Sequence, residues 1–222
     1  MAYFTQDYID FFKELAANNE REWFHANKKR YEKSVKNAFQ LFLVDAIKEA
    51  NKLDSTINPE PKNTVFRINR DIRFSKNKEP YKLHMSAIIS PNGRKDMEFP
   101  GFYLQFGADK IWLGGGAYSL SKEKLQDLRF SLIDHPGELK KILEDKKFKA
   151  LYGEIRGERY KVLPKEFKDA AEQEDLLYQK QFYFMTELDA STLLKDDLMK
   201  IIAKHFEAGK LMNDYLIKAM FK

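Results

Sequence analysis

The chain has 222 residues, 43% of them hydrophobic and 33% charged, with 18 Phe but only 10 Gly and 7 Pro. That length suits a single domain spanning 1–222 with a large aromatic core, and the composition excludes a disordered or fibrous chain. With no cysteine, disulfides, thiolate metal sites and cysteine nucleophiles are excluded, and a net charge of +5 supports an anionic partner only where it is focused.

The first residues form no basic, apolar leader, and no apolar run approaches bilayer length. A cytoplasmic protein without membrane contact is therefore expected. Thr5 stands where it can cap a helix with Tyr8, Phe11, Phe12 and Leu15 on one side. Asn18-Asn19 closes that helix. Trp23 and Phe24 then read as core anchors ahead of a longer helix, in which Tyr31, Val35, Phe39, Phe42, Ala46 and Ile47 recur up to about Leu53.

Beyond the proline-rich connector at 58–63 the apolar period changes from helical to alternating. Strands are expected near 64–74, 81–90, 100–107 and 110–115, and their short turns favour antiparallel neighbours. Gly114-Gly115-Gly116 then leads into a helix capped by Ser121, which His135-Pro136 breaks. A further helix is expected around Phe167–Leu177, a strand at Phe182–Met185, and a long C-terminal helix or a pair broken near Gly209. Helices, then sheet, then helices give an α+β fold, a mainly antiparallel sheet of about residues 64–117 packed with N- and C-terminal helices.

The densest charge lies between Arg67 and His84, where six Arg or Lys residues stand against two acids. In the strand reading Phe66, Ile68, Ile72 and Phe74 point inward, while Arg67 and Arg73 face outward with Asn69 and Asp71. Arg70 falls on the apolar side, which requires a bulge or a carboxylate partner. Lys82 and His84 on the next strand would stand beside the arginines, a repulsive arrangement unless an anion sits among them.

Several of these segments together resemble a known family. They are Asn18-Asn19-Glu20-Arg21-Glu22-Trp23-Phe24, the run Arg70-Asp71-Ile72-Arg73-Phe74-Ser75 with Pro80-Tyr81-Lys82, Gly101-Phe102-Tyr103-Leu104-Gln105, and Gly114-Gly115-Gly116-Ala117-Tyr118. The chain is similar over nearly its whole length to DUF2461, a bacterial and fungal family catalogued as a domain of unknown function. The resemblance implies one domain and carries over no activity or cofactor. One departure is Glu166, where a glycine is expected.

The leading functional expectation is a site for a small phosphorylated or carboxylated ligand. It is formed by Arg67, Arg70, Arg73, Lys76, Lys78, Lys82 and His84 with the hydroxyl of Tyr81, and Arg156, Arg159 and Lys161 form a second rim. Two alternatives stand beside it. A basic hairpin can track a nucleic acid, although an inward Phe74 argues against base stacking. An enzyme could use His84 beside Lys82, with Asp71 or Tyr81 near and His25 as a second histidine, for acid–base work on a phosphorylated substrate. The same arginines could also form only a structural ion network. Four widely spaced histidines give no metal motif, no catalytic constellation stands out, and no cofactor is expected.

Overall fold

The computed structural model describes residues 2–221. Helix α1 (Gln6–Ala17) is followed by α2 (Arg21–Ala26) and α3 (Lys28–Arg30), which passes through a π-helical stretch, Tyr31–Asn37, into α4 (Ala38–Leu53). After the short α5 (Pro61–Thr64), strands β1 (His84–Ile89), β2 (Gly101–Gly107) and β3 (Lys110–Ala117) are joined in one antiparallel sheet by β4 (Phe182–Asp189), in the order β1-β2-β3-β4. Between β3 and β4 lie α6 (Lys122–Asp134), α7 (Glu138–Leu143) and α8 (Lys146–Tyr152), and α9 (Leu198–Met220) ends the chain. The fold is α+β.

The residues group into two compact units. The first comprises 2–94, Tyr103–Leu113 and Glu187–Lys204. Its core is aromatic: Phe4, Tyr8, Phe39, Phe42 and Phe106 meet in edge-on and tilted contacts, and Phe11 packs on Trp23, Phe24 and Tyr31. Such geometry places the positive ring edges against neighbouring faces. Arg30 clamps the outside of α1, donating to Asp7 at 2.8 Å and Glu14 at 2.6 Å.

The second unit comprises Lys95–Phe102, Gly114–Thr186 and 205–221. Leu125, Leu128 and Leu132 of α6 bury with Phe148, Tyr152, Phe182, Phe184, Met212 and Leu216. Ser121 caps α6 as expected, accepting from the Lys124 amide at 3.3 Å, and the helix ends at His135. The Gly triplet lies inside β3 rather than in a turn. A Cβ on Gly114 would stand 2.2 Å from the Phe184 carbonyl oxygen, and one on Gly115 would stand 2.6 Å from that of Gly101. Close backbone approach, not turning, requires glycine at both.

Several expectations are corrected. Residues 64–74 form no continuous strand: their pairing with β1 and its approach is two isolated bridges, Val65 to Ala87 and Asn69 to Tyr81. Regular pairing on the second strand begins at His84 rather than 81. Of the supposed inward face only Ile68 is buried, Phe66 and Ile72 are half-buried, and Phe74 is 95% exposed. The expected helix at 167–177 is three short 3-10 turns, because the Glu174 carboxylate takes the Leu176 amide that a continuous helix would have used. Gly209 does not break α9. The ring of Phe184 would lie 2.7 Å from a Cβ there, so the residue is small to admit a neighbour.

Candidate functional site

The two bridges fix the geometry of the basic segment. From Val65 to Asn69 is four residues, while their partners Ala87 and Tyr81 are six apart, so the chain at 82–86 carries two extra residues. The flanking bonds, Phe66 N–H to Ser86 at 2.9 Å and Lys82 N–H to Ile68 at 2.8 Å, bracket this bulge. A bulge re-aims side chains out of the regular alternation. Here it gathers Arg67, Lys82 and His84.

Arg67 and Lys82 repel one another, and Lys82 disfavours a charge on His84. Burial lowers the Lys82 pKa, and the neighbouring Arg67 lowers it further. Burial also pushes His84 down to about 4, with Lys82 adding to the effect. His84 is therefore neutral at pH 7. Lys82 lies over the Phe66 ring at 5.4 Å, a partial substitute for lost hydration. Among the described residues no carboxylate lies within ion-pair distance of the three. Asp71 feels Arg67, but its oxygens are taken by Arg73.

The remaining predicted cations belong to the loop at 70–80. Arg70 is half-buried and donates to the Glu79 carbonyl at 3.1 Å, with the Glu79 carboxylate at 3.5 Å. This answers the question of its partner: Glu79 rather than Asp71. Arg73 grips Asp71 with Nε at 3.0 Å and Nη2 at 2.7 Å, holding that carboxyl below its usual range. Lys78 Nζ donates to the Ile72 carbonyl at 3.1 Å, and Asn77 Oδ1 accepts from the Glu79 amide at 2.8 Å. Lys76 is exposed. Asp71 and Glu79 thus neutralise the loop arginines locally, while Arg67 and Lys82 keep their charge unopposed.

Tyr81 serves the framework. It is buried, its ring stacks on Phe24 at 4.0 Å, and its backbone N–H and C=O both bond the Asn19 side-chain amide, at 3.2 and 3.1 Å. The Asn-Asn-Glu-Arg-Glu-Trp-Phe and Pro-Tyr-Lys segments therefore meet in space, and the pairing holds the start of the bulge. Sequence reasoning missed Asn19, whose signal was its place just before the Trp-Phe anchors. His25 is exposed on α2.

In the second unit, Arg156, Arg159 and Lys161 are exposed, and Arg159 is committed to Asp175 at 2.6 Å. The Gly116 amide donates to the Asn213 side-chain oxygen at 2.9 Å. This unit also holds Arg129, which sequence reasoning passed over. It is 5% exposed, donates from Nε to the Leu177 carbonyl at 2.9 Å, and lies between the rings of Tyr160 (4.9 Å) and Phe167 (5.3 Å). Its Nη2 has no hydrogen-bond partner. A signal was present: Arg129 sits within the apolar stripe of Leu125, Leu128 and Leu132. Among the described residues no group of three or more His, Asp or Glu could hold a metal, and no helix is long and apolar enough to cross a membrane.

The chain belongs to the family described as a conserved hypothetical protein, DUF2461, whose sequence model matches residues 7–215 of the 222. The match runs through both basic segments and past Glu166, the one noted departure. No curated protein matches the chain significantly.

Proposed function

We propose that this protein binds a small phosphorylated or carboxylated molecule at Arg67, Lys82 and His84. The observation that carries the reading is Arg67, Lys82 and His84 gathered at a β-bulge, the last two partly desolvated, with the one nearby carboxylate, Asp71, already held by Arg73. Such an arrangement costs stability when empty, and an anion converts the repulsion into two charge-assisted contacts. Arg67 supplies a planar fork, Lys82 a point charge, and neutral His84 a hydrogen bond that becomes charged as the anion raises its pKa. Arg70, Arg73 and Lys78 shape the adjoining loop.

The test is thermal unfolding with inorganic phosphate, acetate, sugar phosphates and nucleotides, at low and high salt, for wild type, Arg67→Ala and Lys82→Met. A true ligand at one hundred times its dissociation constant stabilises by about 2.7 kcal/mol. Lys82→Met is expected to fold at least as stably as wild type and to lose that shift. The reading fails if no anion stabilises the wild type, or if the variants keep the shift.

A further inference from the structure

We propose that the ligand of the basic bulge carries a nucleobase, stacked on Phe74, beside the phosphate held by Arg67 and Lys82. This rests on the anion reading above and adds a second contact to it. Phe74 is 95% exposed, against 70% for the next large apolar side chain, Val162. Most of the 18 phenylalanines are buried. Loose chain does not explain its position. The loop around it is braced by Ser75 N–H to the Ile72 carbonyl at 3.3 Å, Lys78 to the same carbonyl, Arg70 to Glu79 and Arg73 to Asp71. The ring is held outward by a loop that these internal bonds brace.

Its surroundings select the ligand. The Arg73 guanidinium lies 5.8 Å from the ring centroid, so the ring stands beside a cation. Arg67 acts on Asp71, Asp71 binds Arg73, and Arg73 borders Phe74, a chain of neighbours linking the cluster to the ring. Between Arg67 and His84 six basic residues face two acidic ones, a net +4 within a protein whose total is +5. A focused positive surface with one protruding aromatic is the pairing that binds a phosphate and stacks its base without reading sequence. An anionic membrane would also meet charge here, but interfacial binding grows with buried apolar area. Phe74 is followed by Ser75, Lys76, Asn77, Lys78 and Glu79, which offer no apolar area to bury.

The base could arrive on a free nucleotide or in a single strand, and the probes separate the two. Inorganic phosphate, adenosine 5′-monophosphate, an oligothymidylate of about fifteen nucleotides and phosphatidylserine vesicles are titrated into wild type, Phe74→Ala and Phe74→Tyr. The nucleotide or the oligomer is expected to bind at least roughly tenfold more tightly than phosphate, with Phe74→Ala losing that advantage and Phe74→Tyr keeping it. Phosphate affinity should not change between these variants. A steep salt dependence confined to the oligomer identifies a strand as the source; equal affinity for the mononucleotide identifies a free nucleotide. Phosphate binding without any gain from a base, or a gain insensitive to Phe74→Ala, overturns the stacking and leaves the anion site standing. If no phosphate-bearing probe binds, the nucleobase proposal falls, and with it the phosphate half of the anion reading. Phe74-dependent binding to vesicles alone also overturns the proposal.

Discussion

Arg129 and Arg67 face opposite environments, and the contrast separates an arginine that builds the fold from one available to a ligand. Arg129 is almost wholly buried, and rings and a carbonyl take up its faces and Nε, with Glu166 acting on it only beyond ion-pair distance. Arg67 is exposed, stands beside another cation, and has only a carboxylate already claimed by Arg73. Burial with internal partners makes a guanidinium a packing element, since ring faces and amide oxygens stabilise it wherever it cannot be hydrated. Exposure among like charges makes it an unspent donor.

The largest expected effect tests the buried member. Arg129→Ala removes two ring contacts and leaves the Leu177 carbonyl without its donor, and should destabilise by about 3–5 kcal/mol in urea unfolding. Arg129→Met keeps most of the volume and discards a charge whose Nη2 is unpartnered, so it should cost less than half as much. Equal losses would show that the bond to Leu177, not packing, holds the residue in place. Neither variant should change phosphate affinity.

His84 sharpens the other side. Its folded pKa of about 4 lies below the ordinary value of 6.5, so the unfolded chain takes up the proton first. Stability from this group is complete above about pH 6.5 and is lost as pH falls towards 4, by at most about 3 kcal/mol. Unfolding measured near pH 7 and near pH 5 should show the loss, and His84→Gln should remove that part of it. Saturating phosphate should also reduce it, because a bound anion raises the His84 pKa. An undiminished pH dependence in His84→Gln would mean that other groups carry it.

Much of the fold was legible because it depends on local period. The alternation of β2 and β3 about the Gly107–Lys110 turn, the cap at Ser121 and the break at His135 are all decided by neighbours in sequence. What was hidden depends on partners far along the chain. Phe74 has the alternation of an inward strand residue, yet the last bridge, Asn69 to Tyr81, ends the pairing before it. Gly209 reads as a breaker until Phe184 is seen to occupy the space its side chain would need. The site was half legible: composition located the basic run, but not which members the bulge would gather. Lys82 and His84 share a face in any strand reading. That Arg73 would leave them for Asp71 depends on the loop closing on itself.

The smallest expected effect is the one that distinguishes the loop from the cluster. Arg73→Ala breaks a two-point contact with Asp71, but both groups are exposed and two residues apart, where ion pairs contribute little. The variant should unfold at the same urea concentration as wild type. Its effect on phosphate affinity should be a loss smaller than that of Arg67→Ala. Asp71, released from Arg73, is then free to turn towards Arg67 and compete with the ligand. Asp71→Asn in the same background should restore affinity. A loss in Arg73→Ala as large as that in Arg67→Ala, and not rescued by Asp71→Asn, would place Arg73 on the ligand and extend the site from the bulge into the loop.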